Sequence, residues 1–273
     1  MRVNEDNMGL LDGKIALIFG VANKNSIGWG ITRALQREGA TIILSYAMDR
    51  LEKRVRPLGE SIGCELMLQA DVGNAAEMDA VFAAVEDKYG GLDVLVHSVA
   101  FAERDALAGR FVDLRREALL SAIDISAASL IEMARRAEPL MKDGGSIMSL
   151  TYNASRTVVP NYNAMAIAKA ALEAITMYLA ADLGRSKIRV NAISAGAIKT
   201  LSAGGIAGFR DLLRYAEVTA PMKELVSQDD VGDLALFLAS DLSRRITGEV
   251  IYVDAGHSIM GYTDVEALMD DGG

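Results

Sequence analysis

Lys14-Ile-Ala-Leu-Ile-Phe-Gly20-Val-Ala-Asn-Lys-Asn-Ser26-Ile-Gly28-Trp-Gly30 passes from an unbroken apolar run, through a glycine-rich turn, into a helical pattern. Consecutive apolar residues fit a strand covered on both faces, as in a parallel sheet. A glycine-rich turn from strand to helix lets backbone N–H groups approach a pyrophosphate, whose charge the helix N-terminus favours. Gly20, Gly28 and Gly30 fit that device at a longer spacing than G-x-G-x-x-G, with Ser26 at a further close-approach position. Tight packing of helix on strand is the alternative reading of the same glycines.

The pattern repeats outward from this turn. Strands are expected at 14–19, 41–46, 65–69, 92–97, 146–150, 188–193 and 249–253, and helices near 27–38, 49–62, 75–89, 115–141, 162–183 and 229–239. Glycine and aspartate punctuate the joins, as in Asp143-Gly-Gly145. Strand–helix alternation over nearly the whole chain predicts an α/β fold: a single Rossmann-type domain with a doubly wound, seven-stranded parallel sheet and helices on both faces. The stretch from about 197 to 226 is the exception. Gly204-Gly205, Gly208 and Pro221 interrupt a weak helical pattern there, which suits a lid over a site.

The 273 residues carry a net charge of -9, from 28 Lys plus Arg against 37 Asp plus Glu, with no basic run. Such a chain is a poor partner for a phosphate backbone, so no nucleic acid is expected. One cysteine, Cys64, and two histidines leave neither an internal disulfide nor a structural zinc site, and Cys64 reads as a small half-buried hydrophobe. The N-terminal residues are polar and acidic, unlike a secretory signal. The longest apolar helix candidate, 164–183, is interrupted by Lys169, Glu173 and Asp182, so it is expected inside protein and not in a membrane. A cytoplasmic enzyme is the expectation.

Other motifs fall at strand ends. Asp71-Val72 follows the third strand, where an Asp can accept from an adenine amino group or cap the next helix. His97 ends the fourth strand and reads as a hydrogen-bonded core residue. The strongest feature is Thr151-Tyr152-Asn153 followed by Pro160-Asn-Tyr162-Asn-Ala-Met-Ala-Ile-Ala-Lys169. Tyr162 and Lys169 are seven apart (169 − 162), which would put them on one helix face two turns from each other. A neighbouring ammonium strengthens a phenol as a donor, and a lysine's long stem can reach ribose hydroxyls.

Together with Asn191-Ala-Ile-Ser-Ala-Gly196, these pieces resemble the short-chain dehydrogenase/reductase superfamily. Ordinary members carry Tyr-x3-Lys, whereas here Tyr162 is followed by Ala166, Tyr152 by Arg156 and Tyr178 by Asp182. The Tyr-x6-Lys spacing, the second tyrosine ten residues upstream and the stretched Gly…Ser-Ile-Gly turn are instead similar to the bacterial enoyl-acyl-carrier-protein reductases. That resemblance runs from about Leu10 to Met260. It implies that Gly20, Ser26 and Ile27 line the pyrophosphate and ribose, Asp71 and Val72 the adenine, Val99 the nicotinamide, and Lys169 the nicotinamide ribose. It further implies that Ile198, Lys199, Thr200, Leu201 and Ser202 close over the cofactor, and that Ala102 sits against the acyl thioester. Tyr162 would donate to the thioester oxygen, with Tyr152 beside it at the acyl chain.

The resemblance implies NADH as cofactor, an acyl-carrier-protein-bound enoyl substrate and a homotetramer. NADPH is disfavoured, since Ala47-Met48 after the second strand offers no cation to a 2′-phosphate, although Arg50, Lys53 and Arg54 lie further on. The chain departs from the family pattern at Ala197, where proline is usual, and at Asn153-Ala154. The basic cluster for the acidic carrier is thinned to Arg210 beside Asp211, and Pro221-Met-Lys-Glu224 lacks the usual paired arginines.

Overall fold

The computed structural model of the protein describes residues 9–200 and 207–261. The sheet strands are β1 (Ile15–Phe19), β2 (Thr41–Tyr46), β3 (Leu66–Gln69), β4 (Val94–His97), β5 (Gly145–Thr151), β6 (Ile188–Ala195) and β7 (Val250–Val253). They form one parallel sheet in the order β3-β2-β1-β4-β5-β6-β7. The helices are α1 (Ile27–Arg37), α2 (Asp49–Ser61), α3 (Ala75–Tyr89), α4 (Arg116–Ile123), α5 (Ser129–Ala137), α6 (Asn163–Leu183), α7 (Phe209–Thr219) and α8 (Gln228–Ala239). The strand order reverses between β1 and β4, and that crevice at the strands' carboxyl ends is where open α/β sheets take ligands.

Alternate strand residues feed opposite cores. Ile18, Leu44, Val96, Met148 and Ile193 pack with α1 and α8, while Leu17, Ile43, Leu95, Ile147 and Val190 pack with α3, α5 and α6. This two-sided burial is why the strands read as unbroken apolar runs. Each fully buried Leu, Ile or Val contributes roughly 1.5–3 kcal/mol. Cys64 is fully inside the first of these cores, its thiol donating to the Ile42 and Leu66 carbonyls.

Two elements differ from their expected form. The helix expected over 115–141 is broken: α4 passes into a π-turn at Asp124–Ala128, then α5, then a 3-10 turn at Glu138–Leu140. Serines hold the wide turn. Ser126 Oγ accepts from the Phe101 N–H at 2.9 Å and donates to the Phe101 carbonyl at 3.0 Å, and Ser129 Oγ donates to the Ile125 carbonyl at 2.7 Å. The second difference is α7, a regular helix within the stretch expected to be a weakly patterned lid. α6 has the length and apolarity to cross a membrane, but it lies on the sheet with Leu172, Ala180 and Leu183 in the core.

Candidate active site

Gly20 closes β1 with φ +94°, and a Cβ there would stand 1.9 Å from the Ser98 carbonyl oxygen after β4. Only glycine allows β1 and β4 to end this close together at the crevice. Ser26 is the residue flanking α1, yet its hydroxyl does not cap the helix. It donates to the Asn23 carbonyl at 2.6 Å and accepts from Ala22 N–H at 3.4 Å, shaping the loop. The first turn of α1 has neither a side-chain cap nor an acidic residue. An uncapped, unopposed helix N-terminus beside a glycine turn fits the pyrophosphate of a dinucleotide.

Gly30 does something else. A Cβ at this position would lie 2.2 Å from the Gln228 carbonyl oxygen, and one at Gly232 would lie 2.7 Å from the Gly30 carbonyl oxygen. The glycine seats α1 on α8, a helix-on-helix contact distinct from both the pyrophosphate turn and the helix-on-strand packing expected for it. Gln228 Nε2 then donates to the Lys24 carbonyl at 3.0 Å, tying α8 to the loop before α1.

Asp71 stands exposed after β3, where its Oδ1 accepts from Gly73 N–H at 2.9 Å. It does not cap α3; Asn74 does, accepting from Ala76 and Glu77 N–H. Val72 and Val99 are half-buried against the α3-side core, and Ala102 against the small cluster that holds Tyr162, Ala106 and Ala164. Ile198 packs on the α1-side core, Lys199 is exposed and Thr200 half-buried. Leu201 and Ser202 lie outside the described residues.

Tyr152 follows β5, and Tyr162 is the residue flanking α6 rather than part of its first turn, its carbonyl accepting from Ala166 N–H at 2.7 Å. Their rings meet edge to face, with centroids 5.2 Å apart and planes at 67°. Burial pushes the Tyr152 phenol up to about 12, and burial with the nearby Tyr152 raises that of Tyr162 further. Lys169 is buried in α6 and donates from Nζ to the Leu150 carbonyl at 2.6 Å. Burial draws its ammonium down to about 8, against the opposing pull of Glu173. So the fold brings Tyr152, Tyr162 and Lys169 to the carboxyl end of β5, beside the β1–β4 crevice.

His97 is a core residue, as read from sequence. Its Nε2 meets Ser129 Oγ at 2.8 Å, and burial, then Lys169, lowers it to about 3, so it is neutral. Sequence reading passed over Glu173 as a mere interruption of an apolar helix. Its position four residues after Lys169 was the available signal.

A Rossmann-type sheet with this tyrosine–lysine arrangement defines a nucleotide-dependent reductase of the short-chain class. The family model described as Enoyl-(Acyl carrier protein) reductase matches residues 20–258, and the chain belongs to that family. It is 49% identical over 259 residues to the NADH enoyl-acyl-carrier-protein reductase 1 of Rhizobium meliloti, covering 95% of each chain. To the NADH enoyl-acyl-carrier-protein reductase of Bacillus cereus it is 49% identical, covering 93% of this chain and 100% of that one. The crystal structure of the Bacillus cereus enzyme with NADP+ and an indole naphthyridinone superposes with TM-score 0.91 at 48% identity, over 93% of this chain and 100% of that one. The Anaplasma phagocytophilum reductase in complex with NAD gives TM-score 0.91 at 43% identity, over 94% and 98%.

Proposed function

We propose that the chain reduces the trans-2 double bond of enoyl thioesters on acyl carrier protein in fatty acid elongation, with NADH as donor. The observation that carries this reading is the edge-to-face pair Tyr152–Tyr162 beside buried Lys169 at the carboxyl end of β5. Bound NADH supplies a hydride to the β-carbon of the thioester. As it arrives, charge gathers on the thioester oxygen. Tyr162, kept neutral by burial, donates its O–H to that oxygen and stabilises the enolate before the α-carbon takes a proton. Lys169 holds the nicotinamide ribose. The α1 N-terminus with Gly20, Ser26 and Ile27 holds the pyrophosphate, and Asp71 with Val72 the adenine. Val99, Ile198, Lys199, Thr200, Leu201 and Ser202 complete the cofactor's surroundings, and Ala102 meets the thioester.

In this reading one domain carries both cofactor and substrate sites, and residues 197–226 form the lid that excludes water. The carrier protein is acidic and this chain offers it few cations: Arg210, with Arg214 one turn later on the same side of α7. A homotetramer is supported by exposed apolar side chains on α4, α5 and α6, namely Leu120, Ile131, Met177 and Tyr178, which ask for cover. A cytoplasmic setting accords with a free cysteine and an apolar helix spent on the core.

The test is NADH oxidation by the purified protein with a trans-2-enoyl thioester against an acetoacetyl thioester. Faster turnover of the enoyl substrate is expected. Preference for the acetoacetyl thioester would make the protein a carbonyl reductase instead.

A further inference from the structure

α6 is apolar along most of its length, yet it buries two ionisable side chains one turn apart, Lys169 and Glu173. A carboxylate is rarely so buried unless its charge is met. The partners of Glu173 all come from outside its helix. Its Oε1 accepts from Thr151 Oγ1 at 2.8 Å and Ser155 Oγ at 2.6 Å, and its Oε2 accepts from Arg156 Nε at 3.3 Å. Arg156 in turn lies over the Tyr252 ring of β7, 5.9 Å from its centroid. One turn earlier, Lys169 fastens the Leu150 carbonyl. The strand end and turn over 150–156 are therefore fastened to α6 at two heights. Tyr152 sits in the middle of that fastened stretch, and no hydrogen bond from another described residue reaches its phenol oxygen.

We infer that Glu173 is a positioning residue of the reductase site: it pins the 151–156 turn so that Tyr152 keeps its edge-to-face packing with Tyr162, and it stands one turn along α6 from the Lys169 ammonium that the turn also receives. The inference rests on the roles given above to Tyr152, Tyr162 and Lys169. The charged and titratable groups around the pair are few. Lys169 faces Glu173 on its own helix and neutral His97 on β4, while Glu173 faces Arg156 after β5 and Tyr252 on β7. Burial draws the Lys169 ammonium down, and Glu173 opposes that pull.

The experiment is NADH affinity, read by fluorescence titration at pH values from about 6 to about 10, for the full chain and three variants. In the unaltered protein, affinity should fall as pH rises through about 8, where Lys169 loses its proton. Glu173→Gln still accepts from Thr151 and Ser155 but carries no charge, so the fall should move down by about one pH unit or more. Arg156→Gln removes the cation facing Glu173 and should move it upward. Glu173→Ala removes the fastening as well and should lower turnover of an enoyl thioester about ten- to a hundredfold below Glu173→Gln. Turnover of Glu173→Ala equal to that of Glu173→Gln overturns the inference, as does an unshifted Glu173→Gln midpoint or a shift of both charge variants in one direction. Should Glu173→Ala fail to fold, the other two variants decide. Because NADH binding needs no turnover, a protein that binds NADH but reduces no enoyl thioester defeats the proposed function while this titration still decides Glu173.

Discussion

The rings of Tyr152 and Tyr162 meet edge to face with centroids 5.2 Å apart, a contact between the residue that follows β5 and the one that flanks α6. An edge-to-face pair is worth about 0.5–1.5 kcal/mol beyond its area, enough to select one ring orientation. Burial disfavours the phenolate of both tyrosines. Whatever oxygen approaches Tyr162 therefore meets a neutral O–H donor.

Tyr162→Phe keeps the ring and this packing and removes only the donor. Turnover of an enoyl thioester should fall about 10²–10³-fold, with NADH affinity nearly unchanged, since the hydroxyl acts where charge develops. Steady-state rates and an NADH titration read the two effects separately. Full activity in Tyr162→Phe, with loss in Tyr152→Phe, would exchange the roles of the tyrosines.

Lys169→Ala removes an ammonium that no other described group replaces at the Leu150 carbonyl. NADH binding should weaken about ten- to a hundredfold, the scale of a hydrogen bond to a charged group, and turnover should fall with it. Lys169→Arg should not restore either, because a planar guanidinium cannot take the place of a compact ammonium in a buried slot. Unaltered NADH affinity in the alanine variant would place Lys169 away from the cofactor.

His97 makes stability depend on pH. Burial holds it neutral, with its folded value near 3 against an unfolded value of 6.5. Since the unfolded chain takes up the proton first, the contribution of His97 is fully present above about 6.5. That contribution should fall by about 1.4 kcal/mol per pH unit from there towards 3. Urea unfolding at descending pH measures the slope, and His97→Gln should remove this contribution. An unchanged slope in His97→Gln would assign acid sensitivity elsewhere.

The loop after β2 bears on cofactor choice. Arg50 donates from Nε to the Met48 sulfur at 2.8 Å, so it folds back on the turn, and Ala47 offers no charge. NADH should give the higher kcat/KM, and Ala47→Arg should raise activity with NADPH relative to NADH. A wild-type preference for NADPH would mean that Arg50 swings out to a 2′-phosphate.

Two glycines of the first turn should behave differently. Gly30→Ala drives a methyl into the Gln228 backbone and should lower stability by about 1–3 kcal/mol, seen as a lower Tm. At Gly28 a Cβ meets nothing nearer than 3.4 Å, so Gly28→Ala should fold normally. Any loss in that variant should be in NADH binding. Equal Tm values for the two variants would contradict this division.

The sheet was readable because each strand is covered on both sides and so carries an unbroken apolar run; all seven were placed within two residues of their ends. The break at Asp124–Ala128 was not readable, because it depends on Ser126 reaching the distant Phe101 backbone, and nothing in the local periodicity marks that. Gly30 was assigned with the phosphate turn because its true neighbour, Gln228, lies far along the chain. Tyr162 and Lys169 stood out by their spacing, and their roles came from the resemblance that the surrounding motifs carry. Glu173 was overlooked because its partners belong to another element, and a lone acid in an apolar helix carries no spacing of its own.

The bond between Gln228 and the Lys24 carbonyl joins residues 204 positions apart, and it sits where Gly30 and Gly232 let α1 and α8 touch. The loop before α1, shaped from within by Ser26, is therefore braced by a helix that a ribosome makes some two hundred residues later. A nascent chain halted before α8 already has its first strand and the glycines after it, but not the surface that braces them. Such a chain should bind no nucleotide, so that cofactor capture waits on α8 although the turn that receives it is made first.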